Sequence, residues 1–187
     1  MTSLVGIIVD GEGDYASMRR RFADGFRVLK TDGPRGHSAM ASDIAIKSRK
    51  QVLMLAAFRC RRVVVVLDFE SRSVGYSEFC ADLVEHFQST GFPVPVTIAV
   101  PNRMIENWYL ADIEFLATRK TFLREGIQQK AFEGKDGKAV LKRFMRKGIP
   151  YSETKHGPEL FEIVRFDVAR RNSASFDAFL SQVSEAH

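Results

Sequence analysis

Two of the most apolar stretches of this chain run directly into a carboxylate. Leu4-Val-Gly-Ile-Ile-Val is followed by Asp10, and Val63-Val-Val-Val-Leu is followed by Asp68. Aliphatic and β-branched runs this continuous need cover on both faces, which is typical of strands in a parallel sheet. Open sheets of this kind bind ligands at the carboxyl ends of their strands. The two runs therefore predict that Asp10 and Asp68 meet at one edge of a buried sheet.

Amphipathic stretches alternate with strand patterns through the first 118 residues. Two shorter strands are predicted over 26–29 and 94–100, with helices between the strands and a further helix over 104–117. This order indicates an α/β fold with a mostly parallel sheet flanked by helices. After residue 118 the pattern becomes helical, and helices are predicted over 120–131, 135–147, 156–170 and 173–184. We therefore predict an α/β core over residues 1–118 and a basic, helical C-terminal extension over residues 119–187 that packs on it.

Further acidic residues lie close to the predicted strand ends. Glu70 follows Asp68 by two residues, Asp14 follows Asp10 by four, and Glu106 begins the helix after the last strand. Carboxylates gathered at one edge repel each other unless a cation joins them, and hard divalent cations prefer oxygen ligands. The sequence therefore predicts a Mg²⁺ (or Mn²⁺) site made from Asp10, Asp14, Asp68, Glu70 and Glu106. The plainer alternatives are a helix-dipole role for the acids of the first turns and surface charge for the remainder.

Other kinds of site find little support in the sequence. The chain has no Cys-x-x-Cys pair and its four histidines are scattered, so a zinc site is not indicated. There is no Gly-x-x-x-x-Gly-Lys-Ser/Thr loop, which argues against ATP hydrolysis by this chain. No Gly-x-Ser-x-Gly turn points to a serine nucleophile. Gly11 and Gly13 permit positive φ and a tight turn between the first strand and its helix.

Positive charge is concentrated in one segment. Residues 119–155 contain eleven basic residues against four acidic ones, a net charge of +7, whereas the whole chain carries +5. Such a block can attract a polyanion, although a solvated surface is an equally good interpretation. The predicted nucleic-acid contacts are Lys142, Arg143, Arg146, Lys147 and Arg171. Lys155 and Arg72 are further candidates for binding a phosphate.

The sequence carries no sign of export or of membrane insertion. The apolar run at residues 4–9 is too short for a signal peptide, and no stretch approaches the roughly 18 apolar residues of a membrane span. We therefore expect a soluble, cytoplasmic protein that does not act at a membrane.

Two motifs in order resemble the Toprim domain of topoisomerases, primases and the overcoming-lysogenization-defect (OLD) nucleases. Asp10-Gly11 stands where that family has Glu-Gly, and Asp68-Phe-Glu70 stands where it has Asp-x-Asp. Both differences keep a carboxylate. The resemblance implies a Toprim-like sheet and Mg²⁺-dependent cleavage of phosphodiesters.

The chain also resembles a Toprim-like bacterial family of unknown function over most of its length. The shared features are the helix Glu106-Asn-Trp-Tyr-Leu-Ala-Asp112, the segment from Tyr151 to Lys155, and the pair Ser175-Phe176. This resemblance implies a partner ATPase and a role in phage defence or DNA repair.

Our leading hypothesis from the sequence is a metal-dependent nuclease, or a nuclease-like subunit, that acts on nucleic acid. Its catalytic residues would be Asp10, Asp68, Glu70, Glu106 and Lys155. The main alternative is a non-catalytic module that binds nucleic acid or protein on a Toprim scaffold, and a phosphotransferase is a weaker one. The sequence does not decide whether the substrate is DNA or RNA, or whether the chain forms a homodimer.

Overall fold

A four-stranded parallel sheet forms the centre of the computed structural model, which describes residues 4–34 and 36–184. The strands are β1 (Leu4–Val9), β2 (Phe26–Lys30), β3 (Cys60–Val66) and β4 (Val96–Ala99), in the spatial order β2-β1-β3-β4. Every neighbouring pair is parallel, and helices flank the sheet. The predicted α/β class with a parallel sheet is therefore confirmed.

Nine helices are found in the described part of the chain. Three of them connect the strands: α1 (Glu12–Arg21), α2 (Ala41–Ala57) and α3 (Tyr76–Ser89). The others follow the last strand: α4 (Glu106–Leu110), α5 (Ile113–Arg119), α6 (Gly137–Phe144), α7 (Glu153–Phe161), α8 (Phe166–Asn172) and α9 (Ala174–Ser184). None of the helices in residues 4–34 and 36–184 is both long and apolar enough to cross a membrane.

The two central strands end at the same level. Val9 of β1 pairs with Val66 of β3, so Asp10 and Asp68 follow residues that are held side by side by the strand ladder. The register between β1 and β3 therefore brings the carboxyl ends of the two strands together, as the sequence predicted.

Each face of the sheet has its own hydrophobic core. Ile8, Val63 and Val65 point toward α2 and α3. Ile7 and Val64 point the other way, into a larger core that includes α1 and the helices after residue 104. Successive strand residues alternate between faces, which is why a continuous apolar run can supply both cores.

The single helix predicted over 104–117 is divided into α4 and α5. Asp112 lies at the break and its carboxylate accepts hydrogen bonds from the Arg165 side chain, at 3.1 Å from Nε and 2.6 Å from a terminal nitrogen. The Ile113 amide donates to the side chain of Gln129 at 3.0 Å rather than to the preceding turn. Long-range partners therefore replace the helical hydrogen bonds that local periodicity predicted.

The prediction of a helix over residues 120–131 is wrong. That segment is turn and coil, with Gly126 at a φ of 71° and a single antiparallel bridge between Leu123 and Met145. Helices do follow it, and they share the larger core with the sheet: the Trp108 ring stacks on Phe179 of α9 with centroids 4.8 Å apart. The division of the chain at residue 118 stays a prediction.

Candidate functional site

Four of the predicted carboxylates lie together at the carboxyl edge of the sheet. Asp10 follows β1, Asp14 is in the first turn of α1, Asp68 lies two residues beyond β3, and Glu106 begins α4. The charges of Asp10, Asp14 and Glu106 all act on Asp68. The ends of two paired strands and the starts of two helices therefore converge on one acidic cluster, which we call the carboxylate site.

Asp10 and Asp14 are joined by a hydrogen bond between their side chains. Two carboxylates can bond in this way when they share a proton. Burial, followed by the charge of Asp10, raises the pKa of Asp14 well above its usual range. A Cβ atom on residue 11 would lie 2.7 Å from Asp14 Oδ2, so glycine leaves the room that this carboxylate occupies.

The positive φ that glycine permits is not observed at Gly11 or Gly13. Gly11 has a φ of −99°, and Gly13 lies within α1. At position 11 the small size of glycine therefore matters more than its backbone freedom.

Asp68 is buried, with 8% of its surface exposed. Its Oδ1 accepts a hydrogen bond from the Ile105 amide at 2.9 Å, which ties the end of β3 to the segment that starts α4. Burial raises the pKa of Asp68 well above its usual range, and the charges of Asp14, Asp10 and Glu106 raise it further. Folding therefore places this side chain where its ionised form is disfavoured.

Glu106 is the most deeply buried acid of the site, with 2% of its surface exposed. Tyr151 donates its hydroxyl to Glu106 Oε1 at 3.1 Å. Oε2 is buried and has no hydrogen-bond partner within the described part of the chain. Burial raises the pKa of Glu106 to about 7. A buried carboxylate oxygen without a partner is uncommon in a folded protein, and a bound ion or an ordered water would satisfy it.

Lys138 is a site residue that our sequence reasoning did not select. It lies in the first turn of α6, and its Nζ is 3.1 Å from Glu153 Oε1. Although burial lowers the pKa of Lys138, the charges of Glu106 and Glu153 raise it above its ordinary value. Asp68 acts on Lys138 in the same direction. The chain therefore supplies one ammonium group to a cluster of four acids.

The position of Lys138 depends on the glycine before it. A Cβ atom on Gly137 would lie 2.8 Å from Glu106 Cβ, so α6 starts directly against α4. The Asp136 side chain caps α6 by accepting from the Ala139 amide at 2.9 Å. The capping residue followed by Gly-Lys was a visible signal for the start of this helix, but nothing local linked it to Glu106.

Tyr151 is held in place by the start of α7. Its ring stacks on His156, with centroids 6.1 Å apart, and His156 Nδ1 accepts from the Ser152 amide at 3.0 Å. Burial, together with the charge of Glu106, raises the pKa of Tyr151 above its usual range. The hydroxyl therefore acts as a neutral donor that orients Glu106.

Glu70 and Arg72 follow Asp68 closely in the chain, but their hydrogen bonds within the described residues go to other parts of the protein. Glu70 adopts a φ of 57°, and its amide donates to the Arg103 carbonyl at 2.6 Å. Arg72 donates to the carbonyls of Gly36, His37 and Ala39 at 3.1, 3.2 and 2.6 Å, and it lies over the Phe79 ring at 3.9 Å. Arg72 therefore fixes the 36–39 loop, and both terminal nitrogens of its guanidinium are already hydrogen-bonded.

The predicted basic contacts lie on the surface. Lys142, Arg143, Lys147 and Lys155 are exposed. Arg146 bonds the Leu123 carbonyl at 3.0 Å and Glu125 at 2.9 Å, and Arg171 pairs with Asp167 at 3.5 Å. Lys155 is beside His156, on which its charge acts. Their roles in binding stay predictions.

The donor set of the carboxylate site suits a hard cation, because it consists of oxygen atoms and includes the unpartnered Oε2 of Glu106. Within residues 4–34 and 36–184, however, no three Asp, Glu, His or Cys side chains are arranged as a ready ligand set. The raised pKa of Asp14 bears on this difference, because a proton and a cation compete for the same carboxylate oxygens.

Comparisons of the chain with protein-family models, with curated proteins and with solved structures each find no match. The resemblance to the Toprim families therefore rests on the motifs quoted above and stays a prediction.

Proposed function

We propose that this chain is a metal-dependent phosphodiesterase that acts on nucleic acid. The observation that carries the proposal is the carboxylate site, where burial raises the pKa values of Asp14, Asp68 and Glu106 and the neighbouring acids raise those of Asp14 and Asp68 further. Such an arrangement opposes folding unless a positive partner joins it, and strongly shifted acids in one place favour a functional site.

Asp10, Asp68 and Glu106 would hold the Mg²⁺ or Mn²⁺ ion, with Asp14 beside them. When bound, the ion would supply a Lewis acid for the phosphodiester. The unpartnered Oε2 of Glu106 is the oxygen best prepared for this role, since its other oxygen is held by Tyr151. Glu70 stays a candidate as a further ligand from the rim of the site.

The other groups of the site act on charge and on protons. Lys138 carries a charge that could bind a non-bridging phosphate oxygen, and it is better placed beside the acids than the predicted Lys155. Glu106 can hold or release a proton close to neutral pH because its pKa is about 7. Binding of the ion would therefore release this proton near neutral pH, because the ion and the proton compete for the same carboxylate.

A second function, a non-catalytic binding module, is favoured by one observation. The four acids do not form a ready ligand set within the described residues, and burial together with Asp10 raises the pKa of Asp14. Under this alternative the site would hold protons in place of a cation, and the basic surface alone would bind nucleic acid. The partner ATPase and the role in phage defence come from the resemblance, and they stay predictions under either function.

Hydrolysis of labelled DNA and RNA oligonucleotides, measured as Mg²⁺ or Mn²⁺ is titrated, tests the proposal. We expect turnover that depends on the metal, and Asp68→Asn should lower it more than about 100-fold, the upper end of the loss caused by removing outer groups of metal sites. The asparagine oxygen can still accept from the Ile105 amide, so the fold should be kept.

Asp43→Asn provides a matched control, because Asp43 is an exposed aspartate in the first turn of α2. It should leave turnover unchanged. Thermal melts with and without the metal separate the two candidate functions. If neither ion stabilises the wild type and no turnover is found on DNA or RNA, the binding module is the better interpretation.

A further inference from the structure

A cleft lies at the opposite end of α6 from the carboxylate site. It has a volume of about 550 Å³ and runs between residues 124–132 and the last turn of α6. Arg124, Lys130 and Arg143 line it together with Ile127, Phe132 and Phe144. The volume falls within the range of sites that bind small organic groups.

The floor of this cleft is aromatic and fixed. The rings of Phe132 and Phe144 pack edge to face, with centroids 5.9 Å apart and planes at 84°. The Phe132 carbonyl accepts from the Lys135 amide at 3.0 Å and from the side chain of Asn107. Phe132 is buried while Phe144 is half-exposed, so an apolar surface is presented in the cleft.

The walls of the cleft are joined by main-chain hydrogen bonds. The Arg124 amide donates to the Phe144 carbonyl at 2.9 Å, and the Arg146 amide donates to the Phe122 carbonyl at 2.9 Å. These bonds lie on either side of the bridge between Leu123 and Met145. A cleft held in this way loses little conformational freedom when it binds a ligand.

The charge of the cleft is positive. Arg124, Lys130 and Arg143 are exposed, and none of them forms a salt bridge with another residue in the described ranges. The one acid of the lining, Glu125, is paired with Arg146 at 2.9 Å. Three cations therefore surround an apolar floor without an acid that neutralises them.

We infer that this cleft binds single-stranded nucleic acid, with one unstacked base on the Phe132–Phe144 floor and the flanking phosphates on the three cations. Aromatic surfaces stack bases of any sequence, and guanidinium groups bind phosphate in a bidentate manner. The bases of a duplex are paired and stacked with their neighbours, so they are not free to enter the cleft. An acidic peptide would satisfy the cations but leave the aromatic floor without a partner.

The inference rests on the proposed function, because one strand would reach both the cleft and the carboxylate site. Lys138 and Arg143 are five residues apart on α6, which corresponds to about 7.5 Å along the helix axis. The two side chains also differ by about 140° around that axis, at about 100° per residue, so a strand bound in the cleft would pass around α6 for a neighbouring phosphate to reach Lys138. The cleft would position the substrate, while the acids and Lys138 would carry the chemistry.

Fluorescence anisotropy with a short labelled oligonucleotide tests this inference in EDTA, where no metal-dependent hydrolysis takes place. We expect the double substitution Arg124→Ala/Arg143→Ala to lower affinity about tenfold or more at low salt. Lys47→Ala/Arg61→Ala removes the same charge from exposed positions on α2 and β3, outside the cleft and outside the basic segment, and should lower affinity less than about threefold. Equal losses for the two pairs would overturn the cleft as the site.

The role of the floor is tested with an abasic oligonucleotide of the same length, which keeps the phosphates and lacks the bases. Wild-type protein should bind the abasic strand about tenfold more weakly, and Phe144→Leu should reduce that difference. Equal binding of the two strands by the wild type would contradict base binding. Equal competition by poly-glutamate would show that the cleft prefers an acidic peptide.

The two proposals fail in different ways. Asp68→Asn should bind the oligonucleotide in EDTA as the wild type does, because Asp68 is not part of the cleft. Metal-dependent turnover with unaltered binding by the cleft variants would uphold the proposed function and overturn the cleft. Loss of binding in those variants, without turnover by the wild type, would uphold the cleft and overturn the proposed function.

Discussion

The two ends of α6 show how burial changes what a charged residue can do. At the first turn, Lys138 lies against buried acids, and Glu106 has 2% of its surface exposed. At the last turn, Arg143 is exposed beside an open cleft. The same helix therefore presents one cation to a buried cluster of acids and another cation to solvent.

Charges at the buried end perturb each other, whereas those at the exposed end are screened by water and salt. The pKa values of Asp14, Asp68, Glu106 and Lys138 are all shifted. A buried end of this kind suits proton transfer and cation binding, and the exposed end suits attraction of a polyanion.

The largest expected effect is the pH dependence that Glu106 gives to the metal-free protein. Its pKa rises from an ordinary 4.5 to about 7 on folding, so the folded state keeps a proton that the unfolded state has lost. The free energy of unfolding should therefore fall by roughly 3 kcal/mol as the pH rises from 4.5 through 7. Asp14 and Asp68 are shifted in the same direction.

Denaturant unfolding in EDTA across this pH range measures the effect, and Glu106→Gln should flatten the profile because glutamine does not titrate. Millimolar Mg²⁺ should restore stability above neutral pH, where the acids are ionised. If the free energy of unfolding of the wild type rises with pH in EDTA, the acids of the carboxylate site are ionised and already paired with positive groups.

A smaller effect is expected from removing Lys138. Lys138→Met should lower the free energy of unfolding by about 2 kcal/mol near pH 8, because it leaves ionised acids without their positive partner. Near pH 5 the loss should be smaller, since the acids then hold protons.

Lys142→Met is the matched control for Lys138→Met, because Lys142 is an exposed lysine one turn later on α6. It should change stability by less than about 0.5 kcal/mol at either pH. Equal effects of the two substitutions would contradict the difference between the ends of the helix.

The smallest effect is expected on the salt dependence of nucleic-acid binding, and it concerns only the basic residues in and just after the last turn of α6. Each of Lys142 and Lys147 that contacts a phosphate should contribute about 0.7 to the slope of log affinity against log salt for a single strand. Arg146→Ala should contribute less, because its guanidinium is already bonded to Leu123 and Glu125. Anisotropy titrations at several salt concentrations measure the slopes, and unchanged slopes for all three variants would show that this surface has another purpose.

Local sequence patterns predicted most of the sheet. The runs before Asp10 and Asp68 are continuous because both faces of β1 and β3 are covered, and that requirement can be read from a few adjacent residues. Asp10 and Asp68 lie at one edge of the sheet because the paired parallel strands that precede them end together, and this too could be predicted from the two runs.

Local patterns were less reliable after the last strand. The predicted 104–117 helix breaks at Asp112 because distant side chains bond its backbone: Gln129 accepts from the Ile113 amide, and Asn172 donates to the Ala111 carbonyl. The predicted 120–131 helix is absent because that segment bridges to Met145. In both cases long-range hydrogen bonds outweigh a weak helical preference.

The sequence by itself determined the class of fold, the two strand-end acids and the excess of positive charge after residue 118, because these depend on neighbouring residues. Only the tertiary structure decided that Lys138 joins the carboxylate site, that Arg72 is occupied by a loop, and that Arg124 and Arg143 line one cleft. Each of these depends on side chains that are distant in the chain and close in space. Packing of α6 against α4, through the space left at Gly137, brings Lys138 to Glu106.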